Sequence, residues 1–223
     1  MVRIACRAIL FDLDGVLIDS TPAVTRVWTK WATAHGFDPQ EVTRRAHGQP
    51  SIATIRQYLP HADHELENAQ VERAEIEDLE GVVMFPGARR LLAALPPDRW
   101  TVVTSCTRRL AEARLGAAGL PIPELLLTCN DVENGKPHPE PYLRAAALLG
   151  FPPAACIVVE DVAVGIRSGK AAGARVIAVR TTATEEELAC SGADWILDDI
   201  SCMSLIPPSD RPLQDLGFEL KVG

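Results

Sequence analysis

The sequence predicts an α/β fold: a doubly wound, Rossmann-like parallel sheet forms the core, and a small α-helical domain is inserted into it. Two observations support this prediction. Short apolar runs alternate with helix-like stretches along most of the chain, but between about Pro22 and Val83 only helical patterns recur. Alternation of strands and helices is typical of parallel sheets covered by helices on both faces.

The predicted strands are short apolar runs that each end in polar residues. Their hydrophobicity is continuous rather than alternating, which indicates that both faces of the sheet are buried. They comprise residues 8–11, 100–104, 125–128, 156–159, 176–179 and 195–197. The helices predicted between them comprise residues 87–95, 108–118, 139–149, 165–172 and 185–190.

The region without strands divides the sequence into two predicted domains. Helical patterns occur at residues 24–35, 52–59 and 62–80, and the last is strongly acidic, which is typical of a solvated helix face. We therefore expect an α/β core of residues 1–20 and 84–223 and a helical domain of residues 21–83. The tail after Ser201 is weakly patterned, and we expect it to be a surface segment.

The composition is that of an ordinary globular protein, with 223 residues, 47% of them hydrophobic and 23% charged. The net charge of −8 argues against a nucleic-acid partner, because nucleic acids attract clusters of Lys and Arg. The apolar runs are too short to cross a membrane, and the first residues lack the cleavage site of a signal peptide. The six cysteines have no metal-ligand spacing and indicate reduced thiols. We therefore expect a cytoplasmic protein, monomeric or weakly homo-oligomeric, that binds neither nucleic acid nor membrane.

The residues that follow the predicted strands carry the functional signal. Ligands of open α/β sheets bind at the carboxyl ends of the strands, and four strands here bring carboxylates, hydroxyls and one lysine to one edge. These residues are Asp12, Asp14, Thr104, Ser105, Thr128, Asn130, Lys136, Glu160 and Asp161. Their convergence predicts a single polar site.

The carboxylates of this edge predict a magnesium site. Asp12 and Asp14 are separated by one residue, and like charges so close repel each other unless a cation lies between them. An oxygen-rich set without His or Cys suits Mg²⁺, which leaves positions for a substrate phosphate. The Thr104 hydroxyl and the Lys136 ammonium group can hold the other phosphate oxygens. These groups suit phosphoryl transfer, with one aspartate as nucleophile and the other as general acid and base.

Four short motifs occur in order along the chain. They are Asp12-Leu13-Asp14-Gly15-Val16, Thr104-Ser105 at a strand end, Lys136 in GKPHPEPYL, and Glu160-Asp161 in VVEDVAVGIRSGKAAG. Together these motifs resemble those of the haloacid dehalogenase superfamily, in the branch that carries a small helical cap after the first strand. The resemblance spans most of the chain.

The resemblance implies a role for each carboxylate. Asp12 corresponds to the nucleophile, which becomes an aspartyl-phosphate and also binds Mg²⁺. Asp14 corresponds to the general acid and base, with its backbone carbonyl on the metal, and Asp161 corresponds to the third protein ligand. Glu160 corresponds either to a ligand acting through water or to a group that orients Lys136. The aspartate at position 14 favours phosphate esters, because dehalogenases of this superfamily lack it.

The resemblance also implies the residues that bind the phosphate and the group of substrates. Thr104 and the Ser105 backbone correspond to the phosphate-holding group, and Lys136 corresponds to the cation that stabilises the nucleophile and the phosphoryl oxygens. Three segments, WTKWATAHG, AHGQPSIATIRQYLP and NDVENGKPHPEPYLRAA, are similar to sugar- and polyol-phosphate phosphatases. That group includes glycerol-3-phosphate phosphatase and 2-deoxyglucose-6-phosphate phosphatase.

The cap segment contains two candidate substrate contacts, His47 and Gln49. His47 is equally consistent with a substrate contact and with a capping hydrogen bond. Gln49 occupies a position at which these phosphatases often have a basic residue, and Cys106 occupies one at which many of them have glycine.

These features together predict a Mg²⁺-dependent phosphatase that acts on a small phosphorylated metabolite, a sugar or a polyol. A hexose-phosphate mutase, which shares the fold and the nucleophile but returns the phosphoryl group to the sugar, is the alternative. A non-catalytic phosphate-binding protein is a further alternative. It would predict the loss of a motif aspartate or of Lys136, and the sequence retains them all.

Overall fold

The computed structural model describes residues 2–206 and 218–222. Among these residues, no helix is both long enough and apolar enough to span a membrane. The strands are β1 (Val2–Cys6), β2 (Ala8–Phe11), β3 (Ile18–Asp19), β4 (Val83–Met84), β5 (Trp100–Val103), β6 (Leu126–Leu127), β7 (Cys156–Glu160), β8 (Arg175–Val179), β9 (Trp195–Leu197), β10 (Met203–Ile206) and β11 (Phe218–Val222). The helices are α1 (Thr21–His35), α2 (Pro39–Ala46), α3 (Ser51–Tyr58), α4 (His64–Glu77), α5 (Ala88–Ala94), α6 (Arg108–Ala117), α7 (Glu140–Leu148), α8 (Ala163–Ala171) and α9 (Glu185–Cys190).

A parallel sheet, six-stranded within the described part of the chain, forms the centre of the molecule with the strand order β6-β5-β2-β7-β8-β9. Every residue of β2, β5 and β7 is buried, since apolar clusters lie on both faces of the sheet. Leu91 and Leu115, from α5 and α6, belong to one cluster, and Tyr142 and Ile166, from α7 and α8, belong to the other. The predicted doubly wound α/β fold is confirmed.

The strand order brings the ends of β2, β5 and β7 to one edge. β2 lies between the other two strands, with Leu10 opposite Thr101 on one side and Val158 on the other. The backbone N–H of Asp12 donates to the carbonyl of Val159 at 2.9 Å, which extends the pairing of β2 with β7 by one residue. The side chains that follow these three strands are therefore neighbours at this edge.

Helices α1–α4 lie between β3 and β4, and we call residues 21–83 the helical insertion. Their apolar residues form a cluster of their own, which includes Trp28, Trp31, Ile55 and Val71. β3 and β4 pair antiparallel. The chain therefore enters and leaves the insertion at adjacent points.

Helix α2 and the β3–β4 pair are absent from the predicted elements. Helix α2 begins after Asp38, whose carboxylate accepts hydrogen bonds from the backbone N–H groups of Gln40 at 2.8 Å and Glu41 at 3.1 Å. Asp38 followed by Pro39 is a helix-start signal that was available in the sequence. β3 and β4 contain two residues each, which is too short to give a periodic pattern.

The two ends of the described chain form a second, antiparallel sheet with the order β1-β11-β10. Met203, Leu220 and Val222 are buried in it, so the expectation of a surface segment after Ser201 is wrong at these three positions. Residues 207–217 and 223 of that tail lie outside the described residues. Strand β1 was not predicted, because the strand with which it pairs, β11, lies at the far end of the chain.

Candidate active site

Lys136 lies at the centre of the sheet edge, between two carboxylates. Its ammonium group donates to Asp12 Oδ1, to Glu160 Oε1 at 2.6 Å and to the carbonyl of Val103 at 3.1 Å. Burial by itself lowers the pKa of Lys136, but Asp12 and Glu160 outweigh this effect and hold the pKa above its usual value. The lysine is therefore a fixed positive charge beside Asp12.

Glu160 is fully buried, and its carboxylate contacts Lys136. Oε1 accepts from Lys136 and also from the Tyr142 hydroxyl at 2.6 Å, and Oε2 accepts from the backbone N–H of Asp161 at 3.2 Å. Helix α8 leaves room for this carboxylate because Gly165 has no side chain, and a Cβ there would lie 1.9 Å from Oε1. The sequence interpretation missed Tyr142, whose contact depends on the packing of α7 against the sheet.

Asp12, Glu160 and Asp161 form a buried acidic cluster, and one carboxylate oxygen from each lies within 4.8 Å of the others. Burial raises the pKa of Asp12 above its usual value, while Lys136 opposes that rise and the other two carboxylates add to it. Burial also raises the pKa of Asp161, and Glu160 adds to the effect. Such carboxylates are costly to ionise without a cation.

A divalent metal ion fits this cluster. Its donors are all carboxylate oxygens, which suit a hard cation such as Mg²⁺, and the positive charge would offset the repulsion between them. The loop after β2 comes close to Asp161, because Gly15 has a φ of +85° and a Cβ there would lie 2.0 Å from Asp161 Oδ2. The Thr182 side chain, from the loop after β8, opposes the rise in the pKa of Asp161, an interaction that the sequence interpretation also missed.

The Asp14 side chain lines the same cavity as Asp12, but it is held by residues of other elements: Ser20 before α1, Cys106 after β5 and Arg114 of α6. Its Oδ1 accepts from the Ser20 hydroxyl at 2.5 Å and from Arg114 Nη1 at 3.0 Å. Its Oδ2 accepts from the Cys106 thiol at 3.2 Å. Burial raises the pKa of this thiol well above its usual value, and Asp14 adds to the rise, so the sulfur keeps the proton that it donates.

Arg114 was not among the predicted site residues. Only 4% of its side chain is exposed, and its Nη2 lies 3.4 Å from Glu75 Oε1, on α4 of the helical insertion. Burial by itself lowers the pKa of Arg114, but Asp14, Cys106 and Glu75 outweigh this effect and raise it. The sequence did contain a signal for this residue. Arg114 lies four positions after Leu110, on the buried face of α6, where a charged side chain needs a partner.

Thr104 and Ser105 follow β5 and face the same site. The Thr104 hydroxyl accepts from the backbone N–H of Cys106 at 3.1 Å, and this contact shapes the loop after the strand. The Ser105 hydroxyl donates to the carbonyl of Gly48 at 3.3 Å, so this loop also touches the helical insertion.

A cavity of about 100 Å³ lies between the sheet edge and the helical insertion. His47 and Gln49 line it, although each also bonds within its own segment. The ring Nδ1 of His47 is 2.7 Å from the Thr43 carbonyl, and Gln49 Nε2 donates to the Arg45 carbonyl at 3.2 Å. The other polar lining residues are Asp12, Asp14, Ser20, Trp28, Ser51, Asn68, Glu72, Glu75, Thr104, Ser105, Cys106, Thr107, Arg114 and Cys129.

Comparison with known proteins gives consistent matches. The family model of haloacid dehalogenase-like hydrolases matches residues 6–173. Hexitol phosphatase A of Escherichia coli (strain K12) is 44% identical over 188 residues, which cover 82% of this chain and 87% of that protein. Glycerol-1-phosphate phosphohydrolase 2 of Saccharomyces cerevisiae is 36% identical over 202 residues, covering 85% and 81% of the two chains.

Solved structures agree in fold. A hydrolase from Pseudomonas syringae superposes with a TM-score of 0.79 over 87% of this chain and 94% of that chain, at 24% sequence identity. The chain therefore belongs to the haloacid dehalogenase-like hydrolase family, and it is a phosphoric monoester hydrolase, the class that the names of these curated relatives share.

Proposed function

We propose that this protein is a Mg²⁺-dependent phosphatase that hydrolyses a small phosphorylated sugar or polyol through an aspartyl-phosphate on Asp12. The observation that carries the proposal is the Asp12 carboxylate, which lines the cavity and is held by the buried ammonium group of Lys136. The relatives support the class of substrate, because their names specify a hexitol phosphatase, a glycerol-1-phosphate phosphohydrolase and a 2-deoxyglucose-6-phosphate phosphatase.

In the first half of the proposed reaction, a carboxylate oxygen of Asp12 attacks phosphorus. The new O–P bond forms as the bond from phosphorus to the leaving oxygen breaks, and Asp14 in its acid form gives its proton to that oxygen. In the second half, Asp14 takes a proton from water while the water oxygen attacks phosphorus. The bond between Asp12 and phosphorus breaks in this step, inorganic phosphate is released, and Asp12 and the acid form of Asp14 are restored.

The neighbouring residues position and neutralise the transferred group. Lys136 balances charge on Asp12 and on the phosphoryl oxygens, and the Thr104 hydroxyl and the Ser105 backbone N–H hold those oxygens. Glu160 orients Lys136, a role that its contacts with Lys136 and Tyr142 support.

The side chains of Asp12 and Asp161, with the backbone carbonyl of Asp14, would hold the Mg²⁺ ion. Bound there, the ion would neutralise phosphoryl charge as the oxygen leaves.

The helical insertion, in this proposal, is a cap domain of residues 21–83 on a core of residues 1–20 and 84–223. It closes the cavity over the leaving group and excludes water. Besides His47 and Gln49, its polar lining includes Ser51, whose hydroxyl donates to Asn68 Oδ1 at 2.6 Å. Hydroxyl and amide groups of this kind suit the hydroxyls of an uncharged sugar or polyol.

The replacement of Asp12 by Asn tests the proposal. The wild-type protein with Mg²⁺ should release phosphate from sorbitol 6-phosphate, glycerol 1-phosphate or 2-deoxyglucose 6-phosphate, and EDTA should stop the reaction. Asp12→Asn should reduce release below detection, because an amide cannot form the aspartyl-phosphate. The exposed Asp98 gives the matched control Asp98→Asn, which should retain wild-type activity. Wild-type turnover by Asp12→Asn would refute the proposal.

Product analysis separates hydrolysis from the mutase alternative. With glucose 1-phosphate as substrate, the proposed phosphatase releases free phosphate and glucose. Accumulation of glucose 6-phosphate would instead show that the phosphoryl group returns to the sugar.

A further inference from the structure

Arg114 is a buried cation that the proposed reaction does not use. It lies on α6 among buried residues, with 4% of its side chain exposed. A guanidinium group at such a position is costly unless carboxylates pair with it. Asp14 and Glu75 are those carboxylates, and one belongs to the proposed proton-transfer machinery while the other belongs to the helical insertion.

The two pairings of Arg114 differ in kind. Nη1 donates to Asp14 Oδ1 at 3.0 Å and also to the Cys106 sulfur at 3.2 Å. Nη2 reaches Glu75 at 3.4 Å, but among the buried side-chain atoms of the described residues both Nη2 and Nε lack a hydrogen-bond partner. The directional contacts of this arginine therefore go to Asp14 and Cys106.

Both oxygens of the Asp14 carboxylate consequently accept hydrogen bonds. Ser20 and Arg114 donate to Oδ1, and the Cys106 thiol donates to Oδ2. Three donors from three separate segments restrict rotation of this side chain. Two of these donors also contact each other, because Arg114 donates a hydrogen bond to the Cys106 sulfur as well.

We infer that Arg114, acting with Cys106, is a positioning residue that holds the Asp14 carboxyl group for proton transfer to the leaving oxygen. This inference rests on the proposed function, in which Asp14 is the general acid and base. Arg114 touches neither substrate nor phosphorus in this role and acts only through Asp14. Its loss should therefore affect a reaction in proportion to the need of the leaving group for a proton.

Two substrates distinguish positioning from a merely structural role. The alkoxide of a sugar or polyol is a poor leaving group and needs the proton of Asp14, whereas 4-nitrophenolate leaves 4-nitrophenyl phosphate without one. The ratio kcat/KM covers the steps up to departure of the alcohol, so it isolates this difference from the later hydrolysis of the aspartyl-phosphate. A general defect in folding or phosphate binding would lower kcat/KM equally for both substrates.

The experiment compares Arg114→Met and Arg114→Lys with wild type on 4-nitrophenyl phosphate and on the best of the three sugar and polyol phosphates. We expect Arg114→Met to lower kcat/KM for the sugar or polyol phosphate about 10- to 100-fold more than for 4-nitrophenyl phosphate, a part of the full effect of a general acid. Arg114→Lys should restore part of that difference. The exposed Arg109, on the same helix, provides the control Arg109→Met, which should leave both values unchanged.

The outcomes separate the two proposals. If wild type is active and Asp12→Asn is inactive, but Arg114→Met lowers both substrates equally or neither, the positioning role is refuted and the phosphatase stands. If wild type hydrolyses neither substrate, the proposed function itself fails. Should Arg114→Met not fold, as judged by thermal unfolding, Arg114→Lys and Cys106→Ala are measured instead. Cys106→Ala must then show the selective loss and Arg114→Lys a smaller one, and equal loss on both substrates, or no loss on either, would refute the inference.

Discussion

Asp12 and Asp14 are separated by one residue, yet their carboxylates lie in two differently built surroundings. We call the surroundings of Asp12 the sheet side and those of Asp14 the helix side. On the sheet side, the neighbours of Asp12 lie at the ends of parallel strands and in the loops that follow them, and they are chiefly Lys136 and Glu160. On the helix side, Asp14 meets Arg114 of α6 and Ser20 at the start of α1. Two carboxylates that are close in sequence thus have different surroundings: sheet topology determines the neighbours of Asp12, and helix packing determines those of Asp14.

The two sides also differ in charge. On the sheet side, three buried carboxylates face the single ammonium group of Lys136, an excess of negative charge that favours a bound cation. On the helix side, Asp14 and Glu75 share the guanidinium group of Arg114, and no further cation is needed to orient Asp14. We therefore expect the carboxylate of the proposed nucleophile to need a bound cation for its charge balance, whereas protein groups suffice to orient the carboxylate of the proposed acid.

Replacement of Lys136 by Met would disrupt the sheet side and should have a larger effect than any change to the packing around it. It removes the cation from Asp12 and Glu160, and we expect kcat for phosphate release to fall by about 10²- to 10³-fold. Two carboxylates would also stay buried without their partner, so the free energy of unfolding should fall by about 3 kcal/mol.

The matched control for this change is Lys170→Met, because Lys170 pairs with Asp194 in a half-exposed ion pair. It should keep wild-type kcat. Steady-state kinetics and urea unfolding measure both quantities, and a Lys136→Met variant with wild-type kcat would contradict the assignment.

Replacement of Gly165 by Ala would test the packing that supports the sheet side, with a smaller effect. The added methyl group would collide with the Glu160 carboxylate, which lies about where the methyl must go. We expect a loss of about 2 kcal/mol in the free energy of unfolding, measured by urea titration, and reduced activity as Glu160 releases Lys136.

Gly116 supplies the control for the glycine substitution. It lies in α6 with open space where a Cβ would point, so Gly116→Ala should leave activity unchanged and stabilise the helix by at most about 1 kcal/mol. Equal stability of Gly165→Ala and Gly116→Ala would show that the close approach of α8 to Glu160 is unimportant.

Replacement of Glu75 by Gln should have the smallest effect and would refine the description of the helix side. Burial raises the pKa of Glu75 above its usual value, although Arg114 opposes that rise, and Asp14 and Glu72 add to it. A carboxyl group with a raised pKa in the folded state holds its proton more tightly than in the unfolded chain. Its contribution to stability is therefore full below the ordinary pKa of Glu, about 4.3, and is lost as the pH rises through the folded value.

Between pH 4 and pH 7, wild type should consequently lose free energy of unfolding relative to Glu75→Gln. Chemical unfolding at a series of pH values measures this difference. We expect kcat/KM to change by less than about threefold, because Arg114 keeps its directional contact with Asp14. A large and selective loss with sugar or polyol phosphates would instead place Glu75 in the orienting network.

The sheet side was predictable from the sequence because most of its residues follow strands directly, and Lys136 lies in the segment between β6 and α7. Each strand is a local apolar run, and the parallel topology then brings the ends of the runs together without further information. The predicted edge residues lie there because β6, β5, β2 and β7 are neighbours in the sheet; they are Asp12, Thr104, Lys136, Glu160 and Asp161.

The helix side was not predictable in the same way. Arg114 meets Asp14 across a hundred positions of sequence and Glu75 across the boundary of the helical insertion, and no local pattern encodes either distance. The same reason explains the missed pairing of β1 with β11, which joins the two ends of the chain. The available hint was local, a charged residue among the buried positions of α6.

The antiparallel pairing of β3 with β4 allows the helical insertion to change in sequence and length. Because the polypeptide departs and returns through neighbouring strands, everything between them can be lengthened, shortened or exchanged without rethreading the parallel sheet. Substrate selectivity can thus change in the helical insertion while the residues that act on the phosphate group stay unchanged at the sheet edge. The contact of Arg114 with Glu75 limits that independence, since a replacement module must still supply, or do without, a carboxylate at this one position.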